Sequence, residues 1–237
     1  MRGTGMIERK DRKIAGVIFD VDGTLLDTMP VWRNSGARFL ASLGIQAERG
    51  LGEKLFSETV ETGAKYIVDK YRLEMSAQDV ADGIDAQVAH AYESEAGFKP
   101  GAEKLLNTLK DQNIPMTVAT STRRHLIEMA FERLGIMDCF VGIFTAPEVG
   151  KTKGEPDIFR LAANRMGTPV RDTWVFEDGL YAIKTAFREG FGTVGVYDET
   201  SGKDTAEIKN FADYYTESLE GFDFIEAVGG SKRPNLI

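Results

Sequence analysis

The chain has 237 residues, of which 29 are Lys or Arg and 37 are Asp or Glu, for a formal net charge of −8; 42% are hydrophobic. That composition belongs to a globular chain with room for a sizeable core, built as one large domain or as one domain carrying an insertion. The negative charge argues against nonspecific binding to nucleic acid, whose phosphates need a basic footprint, and no apolar run approaches the ~20 residues of a membrane-spanning helix. The single cysteine, Cys139, excludes an internal disulfide framework and any multi-cysteine zinc site. No apolar stretch follows the basic start, so no secretion signal is expected and a reducing cytoplasm is the expected setting.

In chain order, Met1–Lys13 is expected to be loosely ordered. Ile14–Asp20 (IAGVIFD) is a short apolar run ending in a carboxylate and predicts a first strand. From Val31 to about Gly97 only helical patterns occur. Trp32, Gly36, Phe39, Leu40 and Leu43 form one stripe; Leu55, Phe56, Val60, Ala64, Ile67, Val68 and Tyr71 form a second. Val80, Ile84, Val88 and Tyr92 form a third, opened by a capping-box-like pair, Ser76 and Asp79. Alternation then sets in: helix Gly101–Gln112, strand Met116–Thr120, helix Arg123–Leu134, strand Val141–Thr145, helix Pro156–Met166, strand Thr173–Glu177, helix Gly179–Glu189 and strand Thr193–Val196. Short, nearly continuous apolar runs alternating with helices predict an α/β fold with a Rossmann-like parallel sheet. The expected core covers 14–30 and 98–226, an α-helical domain is inserted at 31–97, and 227–237 is a loosely ordered tail.

Four constellations fall at strand ends, where ligand sites of open α/β sheets lie. The first strand runs into FDVDGTLLDT, which sets Asp20 and Asp22 close together; such carboxylates repel unless a cation or proton intervenes. Gly23 permits a turn that a side chain would hinder, and the Thr24 hydroxyl is expected to tie that turn to the strand end. VATSTRR ends the next strand at Thr120, where a hydroxyl and the following amides can hold phosphate oxygens, although Thr-Ser-Thr alone is a common helix cap. Lys153-Gly154-Glu155-Pro156-Asp157 precedes a helix, and WVFEDG places Glu177 and Asp178 at a further strand end. Acids ending two separate strands suit an oxygen-ligand metal site.

Phe19-Asp20-Val21-Asp22-Gly23-Thr24 resembles the first motif of the haloacid dehalogenase-like superfamily. The insert after it resembles the helical cap of the subfamily that contains β-phosphoglucomutase and many small-metabolite phosphatases. The other motifs follow in order, so the resemblance spans about Ile14 to Tyr215. It implies that Asp20 attacks phosphorus and that Asp22 protonates the leaving oxygen and later deprotonates water. It also implies that Mg²⁺ is held by Asp20, the Asp22 main-chain carbonyl and Asp178, with Glu177 acting through a bound water. Thr120, the amide of Ser121 and Lys153 would bind phosphate, with Arg123 as a possible extra charge. Gly154 stands where the third motif usually has proline; Lys151 competes for the lysine role, but the register from Pro156-Asp157 selects Lys153. The fourth motif also departs, reading Gly179-Leu180-Tyr181-Ala182-Ile183 where Ser and Gly-Ile are usual.

The resemblance implies a Mg²⁺-dependent phosphatase acting on a small phosphorylated metabolite such as a sugar phosphate. A cap with hinges near Asp27–Pro30 and Gly97–Gly101 would close and exclude water. No nucleic-acid or membrane partner is expected, and a monomer is the default. The alternatives are a sugar phosphomutase and a non-catalytic phospholigand-binding protein. Against the mutase, β-phosphoglucomutase has a histidine at the position of Trp32, whose indole cannot do its proton chemistry. Dehalogenases and phosphonate-cleaving relatives lack the second aspartate, so Asp22 argues against both. Met29 and Trp32 either face the pocket or pack the cap; His90 and His125 are read as surface or structural residues and Cys139 as buried and inert.

Overall fold

The strands form because β-branched and apolar residues follow one another without a polar break. In the computed structural model, which describes residues 12–55 and 60–229, they assemble into one sheet of six parallel strands. Its members are β1 (Gly16–Phe19), β2 (Met116–Thr120), β3 (Ile143–Thr145), β4 (Thr173–Glu177), β5 (Gly192–Val196) and β6 (Tyr214–Thr216), in the order β3-β2-β1-β4-β5-β6. Every residue of β1, β2, β4 and β5 is buried, as a parallel sheet covered on both faces requires. The chain is therefore an α/β protein with a Rossmann-like core. β6 has no counterpart in the sequence reading: it is a three-residue edge strand, half-buried throughout, with no apolar run to mark it.

Register positions the site. Phe19 lies opposite Val118 of β2 and Phe176 of β4. The residues that follow each strand, Asp20, Ser121 and Asp178, thus emerge at one edge of the sheet. The Asp20 amide continues the ladder by donating to Phe176 O (3.0 Å).

The described residues separate into two compact units. The first, covering the described residues 12–25, 99–123 and 138–229, holds the sheet and the helices α5 (Ala102–Asp111), α7 (Ala146–Val149), α8 (Asp157–Met166), α9 (Leu180–Glu189), α10 (Thr205–Phe211) and α11 (Phe224–Gly229). Ile158, Phe159, Ala162 and Ala163 of α8 and Ala182 and Ala186 of α9 pack against Ile18, Val175 and Phe191. Each large side chain so buried contributes roughly 1.5–3 kcal/mol of transfer free energy. Arg12 and Lys13, at the boundary of the expected loose terminus, are anchored: Arg12 Nη1 donates to Arg171 O (2.7 Å) and Gly190 O (3.0 Å), and Lys13 N to Asp172 Oδ1 (3.1 Å).

The second unit, 26–98 and 124–137, is helical: α1 (Met29–Ser42), α2 (Leu51–Leu55), α3 (Val60–Tyr71), α4 (Ala77–Ser94) and α6 (Arg124–Leu134). Phe39, Leu40, Leu51, Ala64, Ile67, Val80 and Ile84 form its core. Leu43 does not join them; α1 stops at Ser42, and Leu43 at its C-cap is 43% exposed. The Ser76–Asp79 capping box is complete in both directions. α6 belongs to this unit because the Arg133 guanidinium donates to the carbonyls of Tyr92 (3.3 Å) and Ala96. Phe56, the Val60 side chain, and residues 1–11 and 230–237 of the expected termini fall outside the described residues. Among the described residues no helix is long and apolar enough to cross a membrane.

Candidate active site

β2 ends in the hydroxyl of Thr120, β4 in the carboxylate of Glu177, and Asp20 follows β1 directly; the sheet order puts β1 between β2 and β4. Asp20, after β1, is buried. Gly23 adopts a φ of 84°, a left-handed conformation a side chain would strain, and so turns the chain away from the site. The turn is closed by the amides of Thr24 (3.2 Å) and Leu25 (2.9 Å) donating to Val21 O. The expected tie from the Thr24 hydroxyl is not made: backbone donors already occupy that carbonyl, and Thr24 Oγ1 is buried without a hydrogen-bond partner.

Glu177 and Asp178 end β4, both buried. Oxygens of Asp20, Glu177 and Asp178 lie within 4.8 Å of one another. Into this cluster reaches Lys153, whose Nζ donates to Asp20 Oδ1 (2.5 Å) and to Glu177 Oε1. Lys151 is exposed and pairs instead with Asp157 (3.1 Å) and Glu155 (3.2 Å). The second Glu177 oxygen accepts from the Gly179 amide (2.5 Å). Glu177 is thus engaged on both oxygens, by Lys153 and by the Gly179 amide. Gly154, at the usual proline position, uses the N–H that proline lacks to donate to Thr152 Oγ1 (3.3 Å).

The electrostatics follow from burial. Desolvation pushes the Asp20 carboxyl up from 3.8 to about 7, against the pull of Lys153 and with the push of Glu177 and Asp22. Desolvation, then Glu177 and Asp20, hold the Asp178 carboxyl well above the usual carboxylate range. Burial works against the Lys153 ammonium, but the Asp20 and Glu177 carboxylates outweigh it and keep its pKa well above that of an ordinary lysine. Three carboxylates face a single ammonium, a deficit of two charges that one divalent cation balances. All the donors are oxygens, so the residues present fit a hard divalent ion.

A prediction follows for the chain held metal-free by a chelator. Between pH 3.8 and about 7 the folded chain holds on Asp20 a proton that the unfolded chain has released. Stability therefore declines as pH rises from about 4 to about 7, and Asp178 reinforces the decline. Thermal midpoints taken at intervals from pH 5 to 8 should fall, and Asp20→Asn should flatten the slope. A midpoint that climbs over this range in the parent chain would contradict the assignment.

Asp22 is half-buried and stands outside the carboxylate cluster; its Oδ2 accepts from Thr122 Oγ1 (2.7 Å). Thr120 is buried and its Oγ1 accepts from the Thr122 amide (3.0 Å). Ser121 is exposed, with its Oγ 3.5 Å from the Tyr181 hydroxyl. The sequence reading gave no site role to Thr122, to Tyr181, which it named only as a departure from the fourth motif, or to Ser201, which donates to Asp178 Oδ2 (3.3 Å). Ser201 sits in a 3-10 turn, Glu199–Asp204, held by Asp198. Asp198 accepts from Thr200 N (2.9 Å), Thr200 Oγ1 (2.6 Å) and Lys99 Nζ (2.8 Å). Burial opposes that carboxylate, but the Lys99 and Thr200 donors hold it below its ordinary value. Thr122 had a signal in its place in Thr-Ser-Thr and Tyr181 in the departure from the fourth motif; Ser201 approaches only through the pairing of distant segments.

Trp32 packs inside the helical unit: its Nε1 donates to Tyr92 Oη (2.8 Å) and the rings meet edge-on, centroids 6.3 Å apart. Met29 is half-buried, His90 and His125 are exposed, and Cys139 is a buried free thiol.

The ends of this parallel sheet thus gather three buried carboxylates around one buried ammonium, with oxygens close enough together to share a divalent cation, the kind of arrangement expected of a hydrolytic site. The chain belongs to the haloacid dehalogenase-like hydrolase family, whose profile matches residues 14–190. It is 30% identical over 219 residues to a "probable pseudouridine-5'-phosphatase" of Drosophila melanogaster, covering 88% of this chain and 94% of that one. It is 28% identical over 186 residues to a fructose-1-phosphate phosphatase of Escherichia coli, covering 78% and 97%. In fold it is similar to β-phosphoglucomutase from Clostridium difficile, with a TM-score of 0.65 at 21% identity over 89% of this chain and 94% of that one.

Proposed function

We propose that this chain is a Mg²⁺-dependent phosphatase that hydrolyses a small phosphomonoester, of the sugar-phosphate kind, through an aspartyl-phosphate on Asp20. One observation carries the reading: the buried Asp20 carboxylate is held by Lys153 beside Asp178, while Asp22 is oriented separately by Thr122. Two acids in different surroundings suit two different roles. The phosphatase names of the relatives in Drosophila melanogaster and Escherichia coli support it.

Asp20, Asp178, the main-chain carbonyl of Asp22 and, through a water, Glu177 would hold Mg²⁺. When bound, the ion offsets the charge of carboxylates and phosphate. The rest of the chemistry belongs to the chain. A carboxylate oxygen of Asp20 attacks phosphorus as the P–O ester bond breaks. Asp22 passes its proton to the departing alkoxide. Water then attacks the acyl-phosphate phosphorus, Asp22 takes the water's proton, and inorganic phosphate leaves with Asp20 restored. Thr120 and the Ser121 amide hold phosphate oxygens, and the fixed Lys153 ammonium stabilises charge on them. Thr122, by fixing one Asp22 oxygen, aims the other.

Hydrolysis is favoured over phosphomutase chemistry because the Trp32 indole N–H is committed to Tyr92 and offers no proton relay. Every proposed residue comes from one chain, so a monomer suffices, and a reducing cytoplasm suits the single buried thiol. The test is phosphate release from a panel of sugar and nucleoside monophosphates. Turnover should appear with Mg²⁺, fall at least ~100-fold with chelator and return on adding back the ion. Chelator-insensitive turnover would refute the metal role. Isomerised sugar phosphate formed faster than free phosphate would replace the phosphatase reading by the mutase.

A further inference from the structure

The aromatic side chain at position 181 does something the motif it interrupts does not require. Tyr181 stands in the first turn of α9, three residues beyond Asp178. Its hydroxyl lies 3.5 Å from Ser121 Oγ. Ser121 follows β2 and α9 follows β4, and these strands flank β1 on its two sides. A side chain joining the two loops therefore passes over the end of β1, where Asp20 stands.

Three features show that this placement is built. Gly179 has φ −85° and ψ 123°, ordinary extended backbone, so conformation does not demand glycine there. Space is close: a Cβ would come within 3.3 Å of Tyr181 Cε1 and 3.2 Å of Glu177 Oε2, so ring or carboxylate would have to give by a few tenths of an ångström. Glycine leaves both the ring and the Glu177 carboxylate undisturbed. Next, the Thr185 hydroxyl lies within donating distance of the carbonyls of Tyr181 (3.0 Å) and Gly154 (3.1 Å) and shares its one proton between them. The first turn of α9 thus lies against the loop that carries Lys153. Finally, Tyr181 is 51% exposed as a residue, but burial of its hydroxyl end holds the phenol above its ordinary pKa, with Lys153 opposing. It remains a neutral donor at any physiological pH.

We propose that Tyr181 is a substrate-binding residue whose hydroxyl, beside that of Ser121, donates to the phosphate group of the bound monoester. The long Ser121–Tyr181 contact is a weak hydrogen bond at the limit of useful geometry. Both hydroxyls gain by turning to a charged oxygen placed between them and Lys153, since bonds to charged acceptors are the stronger kind.

The assignment rests on the phosphatase reading, and the experiment separates the two. In the full chain with Mg²⁺, the parent and Tyr181→Phe are compared on p-nitrophenyl phosphate and a hexose phosphate. Binding of inorganic phosphate is measured by calorimetry alongside. Phe keeps the ring and its seat on Gly179, so the thermal midpoint should not move. KM for both esters should rise roughly 10-fold, kcat should change by less than about threefold, and phosphate affinity should weaken by the KM factor. KM and phosphate affinity within about twofold of the parent would overturn the assignment. So would a loss confined to kcat, which would mean that Tyr181 only positions Lys153. A parent chain that binds phosphate through Tyr181 yet hydrolyses no ester would refute the phosphatase reading and leave this assignment standing.

Discussion

Replacing Asp20 with Asn should lower phosphatase turnover at least ~10⁴-fold, the scale seen when a catalytic nucleophile is removed, without unfolding the chain. An amide oxygen is a poor nucleophile and cannot carry a phosphoryl group, while Asn occupies nearly the volume of Asp. Lys153 keeps its partner Glu177, so no buried cation is stranded. The variant removes one of three crowded carboxylates, and without metal it should be at least as stable as the parent near neutral pH. Steady-state kinetics on a sugar phosphate, with the thermal midpoint recorded alongside, tests both halves. Residual activity within ~100-fold of the parent would show that the aspartyl-phosphate does not form on Asp20.

Lys153→Met should have the largest effect on stability. The ammonium is all but fully buried and bridges Asp20 and Glu177. Methionine fills much of its space but leaves two buried carboxylates facing each other with Asp178 beside them. Removing one partner of a buried ion pair costs about 3–5 kcal/mol because the remaining charge keeps its desolvation penalty. In a chain of this size that lowers the midpoint by roughly 10 °C. Acidification to pH 5, which lets the raised carboxyls take up protons, and saturating Mg²⁺ should each recover part of the loss. Activity should fall ~10³-fold even with metal, since no fixed cation remains on the phosphate. Lys151→Met, at an exposed pairing with Asp157 and Glu155, provides the contrast and should change stability by less than ~1 kcal/mol. Equal midpoints for the two variants in chelator would refute the role assigned to Lys153.

Much of this architecture is legible before any coordinates. β2 and β4 coincide with the apolar runs Met116–Thr120 and Thr173–Glu177, because a buried parallel strand must be apolar on both faces. Helix ends were legible at Gly135, Gly167 and Gly190, each left-handed at or just past the last turn. Asp20, Asp22, Thr120, Glu177 and Asp178 stand out because polar residues that abruptly end apolar strands have few structural reasons to be there. The reading ran short where local pattern carried no signal. β6 is half-buried and too short to show a period, and Leu43 fits the helical stripe but lies past the turn that would have buried it.

By itself, then, the sequence determined which segments become strands and helices and which acids sit at their ends. These are short-range matters, set by periodicity, capping and turn chemistry within a few residues. Only the tertiary structure decided what those ends meet. The order β2-β1-β4 brings Asp20 between Ser121 and Asp178. It also sets Thr122 against Asp22, Ser201 against Asp178 and Tyr181 across the end of β1. Each contact joins segments far apart in the chain, and around Lys153 and the carboxylates the energy comes from burying charges where only a specific partner can satisfy them. No local pattern records that pairing, because it does not exist until the sheet has closed around it.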